Sequence, residues 1–94
     1  MNKEKALSIA QRYVAESDMN YDVIWYAGET DGWHFVWLKN TTLARYTGMG
    51  EAIKISPSGK IVSVVDGIEL HQIAKAAVKL NNGYEFFDKL RVKK

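Results

Sequence analysis

The chain has 94 residues, 47% of them hydrophobic and 26% charged, with 13 Lys and Arg against 11 Asp and Glu for a formal net charge of +2. That length fits one domain and leaves no room for a second, so residues 1–94 are expected to fold as a single unit. The absence of cysteine excludes a disulfide framework and a thiolate zinc site, and no apolar run approaches the roughly 18 residues of a membrane span.

From Asn2, a residue type that caps helices by accepting a free amide hydrogen, an apolar stripe runs through Ala6, Ile9, Ala10, Tyr13 and Val14. Spacings of three and four put these on one face, with Lys3, Lys5, Arg12 and Glu16 mostly elsewhere. An amphipathic helix follows, ending in Ser17-Asp18-Met19-Asn20. Two runs rich in β-branched and aromatic residues come next, Asp22 to Gly28 and Trp33 to Leu38, joined across Thr30-Asp31-Gly32. They form a hairpin whose register depends on its turn. A two-residue Asp31-Gly32 loop of type I′, which Asp-Gly favours, sets Tyr26 opposite Trp37. A three-residue loop sets Trp25 there instead. In either register large apolar groups occupy both faces, with Trp33, Phe35 and Trp37 on one and Val36 and Leu38 on the other.

Asn40 to Gly50 lacks periodicity and reads as a loop, long against the usual span of about 4–6 residues. Glu51 to Ile55 and Lys60 to Val65 make a second hairpin around Ser56-Pro57-Ser58-Gly59, where proline sets the first corner and glycine supplies positive φ. Asp66, with Glu69 three residues on, resembles a capping box opening a helix along Leu70, Ile73, Ala74, Ala77 and Leu80, stopped by Asn81-Asn82-Gly83. The remainder, residues 84–94, is a basic tail whose first part suits a short helix through Tyr84, Phe87 and Leu90, or a strand through Tyr84 and Phe86. The expected fold class is α+β, an antiparallel four-stranded sheet with two main helices packed on one face, in the order α-β-β-β-β-α plus a short C-terminal element.

Charge and chemistry narrow the function by exclusion. The excess positive charge lies in the tail, with Lys89, Arg91, Lys93 and Lys94 against Glu85 and Asp88, so the body is neutral and lacks the basic stripe of a nucleic-acid binder. Neither a G-x-S-x-G elbow nor an S-x-x-K occurs, and His34 and His71 read as structural or solvated histidines. Gly48-Met49-Gly50 lacks the third glycine of a dinucleotide fingerprint, since Ile53 stands there, and no carboxylate pair extends into a calcium loop. No enzyme activity, cofactor or metal is therefore expected, nor a nucleic-acid or membrane partner. Met1-Asn2-Lys3-Glu4-Lys5 precedes spaced apolar residues, no signal peptide is expected, and a cytoplasmic location is the default.

What remains is the aromatic hairpin. If both helices cover one sheet face, then loop 40–50, the tail, a second copy or another protein must cover the other. The interface candidates are Trp25, Tyr26, Trp33, Phe35 and Trp37, with Arg45 and Tyr46 from the loop, types enriched at binding hot spots. The alternative is a small-ligand or enzymatic pocket between sheet and loop, lined by Trp33, His34, Trp37 and Arg45.

The first helix with Ala6, Ala10, Tyr13 and Val14, then Asp31-Gly32-Trp33-His34-Phe35-Val36-Trp37, Ala52-Ile53-Lys54-Ile55, the Pro57-Ser58-Gly59-Lys60 turn and the helix after Asp66-Gly67 together resemble the immunity protein 35 (YrhB-like) family of small bacterial toxin-immunity proteins. The resemblance implies a non-enzymatic binder that blocks a cognate toxin. The neutral body departs from the acidic character of nuclease inhibitors. A looser likeness is to PepSY-type domains, which are commonly exported. The expected function is thus a small cytoplasmic protein-binding module of the immunity type, partnered by another protein or by itself as a homodimer.

Overall fold

The Asn2 side chain accepts the Lys5 amide at 2.9 Å, and helix α1 (Lys3–Glu16) begins there, as its sequence predicts. The computed structural model describes residues 1–17, 21–40 and 50–82. The expectations for loop positions 41–49 and for the tail 84–94 lie outside them. After α1 come β1 (Val23–Thr30), β2 (Trp33–Lys39), β3 (Glu51–Ile55), β4 (Ile61–Ser63) and α2 (Gly67–Leu80). The four strands form one antiparallel sheet in the order β1-β2-β3-β4, so the predicted α+β class and element order hold.

The first hairpin combines the two registers that the sequence leaves open. Asp31 and Gly32 both have positive φ, at 54° and 83°, and Thr30 pairs with Trp33, which is the two-residue loop. A β-bulge between Tyr26 and Gly28 then adds one residue to β1, with Gly28 at φ 126°. Beyond the bulge Trp25 therefore faces Trp37, and Tyr26 faces Val36. In the second hairpin the Gly59 amide donates to the Ser56 carbonyl at 2.9 Å, and Gly59 has φ 92°. That is the type I turn with a glycine bulge that Pro57 and Gly59 predict.

Alternation along the strands sorts their side chains into two cores. Ile24, Val36, Leu38, Ile53 and Ile55 pack with Ala6 and Ala10 of α1. Val23, Phe35, Trp37 and Ala52 pack instead with Ile73 and Ala77 of α2. Because neighbours such as Trp37 and Leu38 point to opposite sides of β2, the helices lie on opposite faces. This corrects the expectation that both pack on one face. The reason is energetic: a sheet apolar on both sides leaves one of them in water if its helices share the other, at about 25 cal/mol per Å² of apolar surface. The order is therefore helix, sheet, helix, in three layers.

At the start of α2 the Asp66 carboxylate accepts from the Ile68 and Glu69 amides at 2.8 and 3.1 Å. Glu69, expected to complete a capping box, has its carboxylate 3.9 Å from Lys54 Nζ. The helix ends at Asn81, whose side-chain amide donates to the Ala77 carbonyl at 2.7 Å and to the Tyr26 carbonyl at 3.1 Å. The second bond ties the end of α2 to the bulged strand.

Candidate interaction surface

The aromatic residues expected to form a contact face divide between the two cores. Trp37 is only 3% exposed, packed against Ala52, Val64, Ile73 and Ala77. Its indole Nε1 is buried without a hydrogen-bond acceptor among the described residues. Trp25, opposite it, and Phe35 are half-buried against the same cluster. Trp33 is half-buried too, with Lys54 Nζ 5.4 Å from its ring centroid, within cation–π range. Tyr26 points to the α1 side, where its hydroxyl lies 2.7 Å from His34 Nδ1. Arg45 and Tyr46 lie outside the described residues. The hairpin thus presents no bare aromatic face, because α2 covers the side that the sequence reading left open.

Of the residues expected to line a pocket, the described Trp33, His34 and Trp37 do not share one face of the sheet, and Arg45 lies outside the described residues. Trp33 and Trp37 belong to the α2 face, whereas His34 is 2% exposed beneath the N-terminal segment, with Nε2 3.2 Å from the Met1 carbonyl. That carbonyl can only accept, so Nε2 carries a hydrogen and His34 serves to join β1, β2 and the start of α1. A depression of about 230 Å³ does exist between α2 and the hairpin, over Ala27, Phe35, Ile73 and Ala76 with Thr30, Glu69 and Gln72 at its rim. Typical ligand pockets measure about 300–1,000 Å³. Among the described residues no group of three or more His, Asp or Glu is placed to hold a metal ion.

Two polar arrangements sit at the sheet ends. Glu51 accepts from the Tyr13 and Tyr21 hydroxyls, both at 3.0 Å, and from Ser63 Oγ at 3.3 Å, which ties α1 to three strands or their approaches. Burial, with this carboxylate adjacent, pushes the Tyr21 hydroxyl up to about 12, and raises that of Tyr13 as well. Lys39 is buried on the α2 side, with Nζ 5.8 Å from the Trp37 ring centroid, and desolvation lowers its pKa.

The apolar groups left in water are elsewhere. Val65 is 94% exposed and Ile68 73%, on either side of the Asp66 cap where β4 turns into α2. Leu80, assigned by its spacing to the buried stripe, is 61% exposed at the far end of α2. The sequence contains a signal for the exposure of Ile68 but not for that of Val65. Ile68 falls off the stripe of Leu70, Ile73 and Ala77, and Val65 stands immediately before the cap, at the position that often packs onto the first helical turn as a hydrophobic staple. Its exposure means that staple is not made.

No helix among the described residues is long and apolar enough to cross a membrane. Compared with protein-family models, with curated proteins and with solved structures, the chain matches none.

Proposed function

We propose that the protein is a non-enzymatic, cytoplasmic protein-binding module whose contact surface is the corner between β4 and α2. One observation carries this reading: Val65 and Ile68, at 94% and 73% exposure, flank the Asp66 cap where β4 leads into α2, while both sheet faces have their own helix. Exposed apolar groups clustered at one place mark interaction sites more often than scattered ones. The shallow depression over Phe35, by contrast, offers few convergent polar groups for binding or converting a small molecule. A finer proposal rests on the resemblance to the immunity protein 35 family alone: the partner is a toxin that the module neutralises.

The test is a double variant, Val65→Ser with Ile68→Ser, compared with the wild type for fold by circular dichroism and for capture of binding proteins, itself included. The reading expects an intact fold and loss of the specific partner. Equal capture by both proteins would overturn it. For the toxin proposal, the readout is whether co-expression rescues cells from a toxin encoded beside the gene, and whether the double variant does not.

A further inference from the structure

The edge of β4 has a backbone pattern of its own. The Val64 amide donates to the Ala52 carbonyl at 3.0 Å, and the Ser56 amide to the Lys60 carbonyl at 2.9 Å. In an antiparallel ladder hydrogen-bonded pairs alternate, so Lys60, Val62 and Val64 turn their backbone groups toward β3. Ile61, Ser63 and Val65 must then turn theirs outward. Among the described residues no hydrogen bond uses those outward groups. Natural edges are commonly blunted by charge, by proline or by a covering element. Here the last outward position is instead Val65, the most exposed large apolar residue of the described chain.

We infer that this edge pairs with the same edge of a second copy, antiparallel about a two-fold axis at Ser63, to make one continuous eight-stranded sheet. The inference rests on the reading of the β4–α2 corner as a contact surface and names its occupant. The register follows from chemistry. Only odd-numbered positions offer free backbone groups, and centring on Ser63 uses the most of them: Ser63 with its own copy, and Ile61 with the partner's Val65 on both sides of the axis. By alternation these three share the α1 face, so the exposed Val65 meets half-buried Ile61. On the opposite face the same register sets Lys60, exposed, across from the partner's Asp66, so that the two charge pairs are complementary and self-consistent under two-fold symmetry. A shift of the axis to Val62 would place Lys60 against the partner's Val64 and lose both pairs.

The chain's lack of cysteine makes the register directly testable. Ser63→Cys puts two thiols at a pair whose Cα atoms lie about 5.5 Å apart, within disulfide reach. Under mild oxidation it is expected to cross-link at least tenfold faster than Ser8→Cys on the outer face of α1, where only random collision brings thiols together. Sedimentation of the wild type is expected to give twice the chain mass, and Val65→Lys, with an unchanged circular dichroism spectrum, to weaken the dimer tenfold or more. A monomer at all accessible concentrations overturns the inference, as does a dimer indifferent to Val65→Lys, or equal cross-linking of the two cysteine variants. A monomer that still binds another protein through Val65 and Ile68 overturns the second copy as occupant and leaves the proposed function standing. A monomer that binds nothing there removes both.

Discussion

Trp37 is where the packing of the α2 face is measured most sharply. An aromatic side chain buries about 150–250 Å², which at about 25 cal/mol per Å² amounts to about 4–6 kcal/mol of gross stabilisation. Trp37 is 3% exposed; its buried neighbours Ala52, Val64, Ile73 and Ala77 are small or short, and the larger Trp25 and Phe35 are already packed against the same cluster. Trp37→Ala is therefore expected to cost about 3–5 kcal/mol. Set against a total stability of about 5–14 kcal/mol for a chain this long, that is a large share. Trp37→Phe behaves differently. It gives up part of the ring but also removes a buried N–H without an acceptor among the described residues, a group whose burial costs about 1–3 kcal/mol. The two changes offset, so the phenylalanine variant is expected to lose less than about 1.5 kcal/mol. The assay is urea unfolding followed by far-ultraviolet circular dichroism, with equal m values as the condition for comparing midpoints. A phenylalanine variant as unstable as the alanine one, or an alanine variant within about 1 kcal/mol of wild type, would refute the reasoning, the second by meaning that α2 does not cover this face.

Three further outcomes follow from single residues. Gly28→Ala meets no atom within 4 Å, so its whole effect comes from φ 126°, and a loss of about 1–2 kcal/mol is expected in the urea midpoint. Asp66→Ala removes the acceptor for the Ile68 and Glu69 amides and is expected to cost about 1 kcal/mol, whereas Asp66→Asn costs much less, as thermal unfolding will record. The Tyr21 hydroxyl titrates near 12 in the folded protein against 10.0 unfolded, so its contribution is complete below pH 10 and is lost as pH rises through 12. Because the ring is only half-buried, solvent screening reduces the loss to about 1 kcal/mol; Tyr21→Phe should flatten the stability profile between those pH values.

Most of the fold was legible because its signals are local. Asn2, Asp66, Asp31-Gly32 and Pro57-Ser58-Gly59 each act within a few residues, and each does what its chemistry predicts. The pairing of Trp25 with Trp37 was not decidable, since the bulge at Ala27 undoes the register that the turn sets, and Gly28 alone does not announce a bulge. The layer arrangement is not legible for a different reason. Val36 and Leu38 alternating with Phe35 and Trp37 reveal two apolar faces, but which helix crosses to which face depends on packing across the whole domain. The same ambiguity draws the expected contact surface onto aromatics that the structure leaves buried, as Trp37, or half-buried, as Trp25, Tyr26, Trp33 and Phe35. The exposed corner at Val65 and Ile68 was concealed by its surroundings, two ordinary apolar residues beside a strong helix cap.

The claim on which the rest depends is that each sheet face has its own helix, and nuclear Overhauser contacts test it without any variant. The account predicts contacts from the Leu38 methyls to the Ala6 and Ala10 methyls, and from the Trp37 ring to the Ala77 methyl and Ile73. Contacts from the Trp37 ring to Ala6 or Ala10 would contradict it.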